Sequence, residues 1–246
     1  MQQLLYAVSS LSKTGVGLLT DKPSFVAHPG QNGAAIPLRI MPLGGSVTFG
    51  VGSSDGNGYR NELFNLLIAA GYQVTMLGSR ASGSMTGNNN EGWRGFRIDQ
   101  IETKVMRSVA KTLPNLFTVN AGSNDCIQNL DLENAAERMG SMSEKLWLAS
   151  PGSTIILSTL LPNYDARVDS RVQFVNQQFK ELAKSKSAKG KRMVLVDMYC
   201  DSGPQTQDFV DGTHPNDSGY KQMARIWFDG IQEANRFGFL QSSQDN

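Results

Sequence analysis

Short apolar runs, rich in β-branched residues, recur along the chain at Leu38–Leu43, Gln73–Leu77, Leu116–Asn120, Thr154–Leu160 and Arg192–Met198. Near-continuous apolar runs of this length read as strands covered on both faces. Between them, apolar positions recur at helical spacing over Tyr59–Ala70, Ile98–Lys111, Ala135–Ala149, Val168–Ala183 and Asp217–Ala234, with Gly71 placed as a stop signal for the first. The alternation predicts a parallel sheet with helices on both sides, right-handed crossovers, and an active site at the carboxyl ends of the strands. Residues 1–35, which hold Pro23, His28 and Pro29, lack this alternation. They read as an irregular arm before a single domain over residues 36–240, and residues 241–246 read as a tail.

Composition narrows the function classes. A chain of 246 residues, 39% hydrophobic and 18% charged, is long enough for one sizeable core. Its net charge of +1 gives no broad basic face, so nucleic acid is not an expected partner. No apolar run reaches the ~20 residues that span a bilayer. Met1–Ser10 is partly apolar, but no basic residue precedes it and no clear cleavage site follows, so it makes no clear signal peptide.

The polar motifs fall at the predicted carboxyl ends. Ser46 follows the first strand in Leu43-Gly-Gly-Ser-Val-Thr-Phe-Gly50, where the glycines permit a tight turn and close approach of a substrate. The elbow Gly-Xaa-Ser-Xaa-Gly of the larger α/β hydrolases is absent, because residue 48 is threonine. Asp211-Gly-Thr-His214 lies before Pro215 and the helix-start pattern Asn216-Asp-Ser218. A serine hydroxyl needs an imidazole to take its proton, and a carboxylate fixes that imidazole's tautomer, so Ser46, His214 and Asp211 are candidates for nucleophile, base and orienter. The chain's other histidine, His28, reads as a surface residue of the arm. Asn124, after the third strand, is either an oxyanion donor or a turn former, with Asp125 beside it as a candidate cap. Asn90-Glu-Gly-Trp-Arg-Gly95 reads as a loop entering a helix, where glycines expose backbone N–H groups.

These blocks carry a resemblance. The chain resembles the SGNH hydrolases, also called GDSL-type esterases and lipases, with the four blocks in family order across Met41 to Pro215. The residues that give the family its name are Ser46, Gly95, Asn124 and His214, and Asp211 completes the triad. The resemblance implies a flavodoxin-like, three-layer α/β/α fold on a five-stranded parallel sheet. It also implies an oxyanion hole made by the Ser46 and Gly95 N–H groups and the Asn124 amide. Arg39-Ile-Met-Pro-Leu-Gly, Glu91-Gly-Trp-Arg-Gly95 and His214-Pro-Asn-Asp-Ser-Gly-Tyr220 are most similar to the branch holding microbial acetylxylan esterases. That implies an esterase for small acyl groups, acetyl above all, acting on carbohydrate through an acyl-enzyme on Ser46, in an extracellular setting. The expected partner is a small-molecule or polysaccharide ester, with no cofactor and no metal. A lipase or lysophospholipase on the same scaffold, or a weakly active carbohydrate-binding relative, are the alternatives. The last is prompted by Gly45, which stands where the family usually carries aspartate.

Other features stay open between readings. Cys126 and Cys200 both follow strands and are a candidate disulfide or two buried thiols. Trp93 and Arg94 flank Gly95 as candidate substrate contacts, although Trp93 packing on a neighbouring helix is an equal alternative. Lys184, Lys186, Lys189, Lys191 and Arg192 read as a solvated helix end, and Asn88–Asn90 as a surface loop.

Overall fold

A computed structural model describes residues 36–241. The first strand, β1 (Leu38–Gly44), is buried at all positions but Arg39. Its side chains alternate between two cores: Leu38 and Ile40 belong to one, Met41 and Leu43 to the other. After a four-residue helix, α1 (Ser46–Phe49), come α2 (Arg60–Ala69), β2 (Val74–Met76), β3 (Arg80–Ala81), β4 (Asn89–Gly92), α3 (Ile98–Thr112) and β5 (Leu116–Asn120). The chain continues through α4 (Ser123–Gln128), α5 (Ala135–Ala149), β6 (Thr154–Ser158), α6 (Ala166–Ala188), β7 (Met193–Val196) and α7 (Asp217–Arg236).

The five predicted strands pair in parallel in the order β2–β1–β5–β6–β7. Numbered among themselves this is 2-1-3-4-5, the flavodoxin-like order, in which ligands bind outside the carboxyl ends of the strands. Helices α2 and α7 cover the face bearing Leu38, Ile40 and Ile156, while α3, α5 and α6 cover the face bearing Leu43, Val119 and Leu157. Each such fully buried side chain contributes roughly 1.5–3 kcal/mol of transfer free energy.

The sheet holds seven strands rather than five. Strand β4 pairs in parallel with the last two residues of β1, Leu43↔Glu91 and Gly44↔Gly92, and antiparallel with β3. Asn90 is therefore buried, not part of a surface loop. Its polar sequence hid the strand, since its side chains are satisfied locally. Asn90 Nδ2 donates to Ser82 Oγ (3.0 Å), and Glu91 accepts from Ser79 N (2.6 Å) and the Trp93 indole N–H (2.9 Å). The sixth helix runs five residues past its expected end, and two of the lysines there bind Glu144 of α5.

Cys126 and Cys200 are both free, Cys126 buried and Cys200 partly exposed, so the candidate disulfide is not formed. Cys126 sits on α4 after β5 and Cys200 follows β7, with β6 between these strands. Cys126 is packed in the buried core, and Cys200 Sγ donates instead to Asp197 O (3.0 Å). Burial pushes the Cys126 thiol up to about 12, leaving it protonated and inert. His28 lies outside the described residues.

Candidate active site

Gly44 ends β1 where the sheet is tightest. A Cβ there would stand 2.1 Å from Asn120 O and 2.4 Å from Thr48 Oγ1, so only glycine lets the chain turn at this point. Ser46 then opens α1, and as the first residue of a helix its N–H has no intrahelical acceptor. The loop after α1 is fastened to the start of α7: Ser54 N donates to Asp217 Oδ1 (2.8 Å) and Tyr220 Oη to Val51 O (2.5 Å). The same helix start fixes the histidine loop. Asn216 caps α7 by accepting from Gly219 N (3.1 Å) and donates to Gln207 O. Its side-chain amide is thus committed to capping.

These anchors bring residues 46, 211 and 214 together across the sequence. His214 Nε2 lies 2.7 Å from Ser46 Oγ, and His214 Nδ1 lies 2.7 Å from Asp211 Oδ2. Asp211 Oδ1 also accepts from the backbone N–H groups of Thr213 (3.0 Å) and His214 (2.9 Å). Burial raises the Asp211 pKa, but the hydrogen bonds from the His214 side chain and from the two backbone N–H groups outweigh it, leaving the carboxyl below its ordinary value. An ionised Asp211 fixes the proton on Nδ1, which leaves the Nε2 lone pair for the serine hydroxyl.

A cleft of about 670 Å³ opens over this group, lined by Ser46, His214, Gly95, Asn124, Arg94 and Ile127 among others. Asn124 Nδ2 donates to Phe96 O (2.9 Å), which orients the amide and leaves its second N–H. Gly95 has φ +78° and its carbonyl accepts from Gln128 (3.3 Å). Asp125 does not cap its own helix. It is fully buried, accepts from Ile98 N (3.2 Å) at the start of α3, and pairs with Arg138 of α5. Burial raises its pKa, with Arg138 acting in the opposite direction. That ion pair ties α3, α4 and α5 together behind Asn124.

Gly45 gains a structural account. A Cβ at this position would stand 3.3 Å from Asn124 Nδ2, closer than most real contacts, so the glycine leaves the Asn124 amide unobstructed.

The two substrate-contact candidates separate. Arg94 lines the cleft, whereas the Trp93 ring lies in a separate depression against Thr103, Lys104 and Arg107. The Trp93 indole N–H donates to Glu91 Oε2 (2.9 Å), its ring contacts Phe96 at 5.6 Å, and Lys104 Nζ of α3 stands 5.5 Å from its centroid. Arg60 was not singled out from the sequence at all. It is buried at the start of α2 and donates to Asn88 O (2.9 Å), Phe49 O (3.2 Å) and Ser82 O (2.9 Å). Phe49 ends the helix that carries Ser46, so Arg60 braces that helix. A basic residue opening a helix looks solvated in a sequence, and no local signal marks it. Among the described residues no group of three or more His, Cys, Asp or Glu is arranged to hold a metal ion, and no helix is long and apolar enough to cross a membrane.

The GDSL-like Lipase/Acylhydrolase family profile matches residues 43–222. The chain belongs to this family. Membership makes it a carboxylic ester hydrolase by family and accounts for the four sequence blocks. The chain is 25% identical over 244 residues to a multidomain esterase of Ruminococcus flavefaciens, covering 87% of this chain and 30% of that protein's length. Among solved structures it is similar to a family 3 carbohydrate esterase of Clostridium thermocellum, at 25% identity and TM-score 0.74, covering 82% of this chain and 98% of the other. A family 3 carbohydrate esterase of Talaromyces cellulolyticus, 20% identical with TM-score 0.70, covers 81% of this chain and 99% of its own, and shares the fold.

Proposed function

We propose that this GDSL-family chain hydrolyses small acyl esters, acetyl above all, on a carbohydrate, through an acyl-enzyme on Ser46. The observation that carries this reading is the pair of 2.7 Å contacts joining Ser46, His214 and Asp211 at the carboxyl edge of the sheet. Ser46 Oγ attacks the ester carbonyl as His214 Nε2 takes its proton, forming a tetrahedral oxyanion. The oxyanion accepts hydrogen bonds from the Ser46 and Gly95 N–H groups and the Asn124 amide. Collapse expels the alcohol, which takes the proton from His214. Water, deprotonated by the same imidazole, then attacks the acyl carbonyl, and release of the carboxylic acid returns the proton to Ser46. The carbohydrate part draws support from the similarity to the Clostridium thermocellum carbohydrate esterase, and the acetyl part from the likeness of the sequence blocks to those of acetylxylan esterases. An extracellular setting belongs to the same proposal and follows from the substrate rather than from oxidation of the two free cysteines.

The test compares p-nitrophenyl acetate with p-nitrophenyl octanoate. Acetate is expected to be the better substrate by kcat/KM, and equal or faster octanoate turnover would replace this reading with a lipase. A second expectation concerns the oxyanion. Asn124→Ala should lower kcat about 100-fold with little change in KM, since its amide donates chiefly to charge that develops in the transition state. A KM effect alone would assign Asn124 to ground-state binding.

A further inference from the structure

The depression holding the Trp93 ring has about 450 Å³ of volume and is lined by Ser79, Trp93, Thr103, Lys104, Arg107 and Ser108. Two cations face the indole: the Arg80 guanidinium carbon stands 4.6 Å from the ring centroid, and Lys104 Nζ stands 5.5 Å from it. Arg80 also lies 5.5 Å from the Phe49 ring, which Arg94 approaches at 6.0 Å from the cleft side. A stripe of positive charge therefore leads from the Ser46 cleft through Arg94 and Arg80 to Lys104 and Arg107.

These charges are held without direct ion pairs. Among the described residues, none of the four has a carboxylate within ion-pair distance. Glu91, whose carboxylate accepts the indole N–H, is committed to that bond and to Ser79 N. An aromatic ring orients a cation through its quadrupole but cancels none of its charge, and a stacked guanidinium keeps its N–H edge free for a carboxylate. Lys104 and Arg107 lie three apart on the exposed side of α3, so they project as neighbours. Lys104 and Arg107 line the depression, Arg80 stands over the Trp93 ring and Arg94 lines the cleft, so four cations face outward along this stretch with the single buried Glu91 carboxylate behind the indole, a local excess of positive charge in a protein of net charge +1. With cations approaching its ring, Trp93 serves to arrange them rather than to stack on a sugar.

The stripe is continuous with the site. Trp93 N donates to Gly44 O (2.8 Å), two residues before Ser46, and Arg94 lines the cleft itself. We propose that the stripe is a subsite for carboxylates of an acidic polysaccharide, so that the ester cleaved at Ser46 sits on a glycan bearing uronic acids. The substrate claim rests on the esterase reading of the cleft; the binding claim does not.

The test reads binding without catalysis. The full chain and its Lys104→Gln/Arg107→Gln variant, both changes on exposed α3 positions, are titrated with de-esterified polygalacturonate, neutral xylan and double-stranded DNA. Wild type is expected to bind the polyuronate in preference to both other polymers. The double variant should weaken that binding about fivefold or more, as loss of two exposed charge contacts allows, while p-nitrophenyl acetate turnover stays within about twofold. Affinity for polyuronate that is absent, unchanged in the variant, or matched by xylan or DNA would overturn the subsite. Absence of all ester hydrolysis by wild type would instead sink the esterase reading, and the polyuronate titration would still decide the stripe.

Discussion

Ser46→Ala and His214→Ala are each expected to lower kcat on p-nitrophenyl acetate by about a thousandfold or more, and the double variant should be no worse than either alone. The reason is that the residues act as a unit. Without the imidazole, Ser46 keeps a proton that no neighbouring base removes, and without Ser46 the imidazole has no nucleophile 2.7 Å away to activate. What survives in every variant is the cleft and its oxyanion donors. Asp211→Ala should be less severe, by roughly tenfold, because Asp211 is half-exposed and water can partly replace it at Nδ1. Steady-state kinetics on the four proteins, with unchanged melting curves as the folding control, decide the matter. Additive losses would mean that Ser46 and His214 do not act as a unit, and a Ser46→Ala variant retaining a tenth of wild-type kcat would remove Ser46 from the chemistry. Acid should act through Asp211 in one direction. Its folded pKa lies below the unfolded value, so the stability it contributes is present above ~4, the unfolded range, and is lost as pH falls through the folded value.

The sheet was legible because buried parallel strands need apolar side chains on both faces, and Leu116–Asn120 or Thr154–Ser158 offer little else. The serine and histidine blocks were legible because strand order places every carboxyl end at one edge, and backbone topology brings Ser46 and His214 there. What escaped depended on the direction of individual side chains. Asn89–Gly92 became a strand because Ser82 and Ser79, on the preceding hairpin segment, and the adjacent Trp93 indole satisfy its polar groups, pairings that depend on side-chain direction. Trp93 turned away from the cleft because Glu91, two residues earlier on the same face, holds its N–H. Cys126 and Cys200 both follow strands, but one is packed in the core and the other is turned to the Asp197 carbonyl, directions that their spacing in the chain did not reveal.

Arg60→Met is expected to destabilise the protein by about 3 kcal/mol, the cost of leaving Gly56 O and Ser82 O without this donor at 1–3 kcal/mol each, while Phe49 O and Asn88 O keep Ser82 Oγ and Asn90 Nδ2 as donors. At this size that lowers Tm by roughly 6–12 °C. The guanidinium has no carboxylate partner: Nη1 donates to Asn88 O, and Nη2 lies within 2.8–3.2 Å of Phe49 O, Gly56 O, Ser82 O and Ser82 Oγ, more acceptors than its two hydrogens serve at once. Burial lowers its pKa, with Tyr59, Tyr220 and Asp55 opposing, so the group is costly to bury and is retained for the carbonyls it gathers. Those carbonyls belong to the end of α1, the following loop, the turn after β3 and the approach to β4, and nothing else named in the structure joins all four. Lysine keeps the charge but offers a compact head with three donors in place of a fork. Arg60→Lys should therefore recover part of the Tm while kcat stays depressed, because Phe49 O, at the end of the helix that carries Ser46, keeps only its bond from Ser82 Oγ and loses the guanidinium. Full recovery of both by lysine would mean that charge alone is required there. A methionine variant melting within about 2 °C of wild type would mean that water satisfies these carbonyls as well as the arginine does.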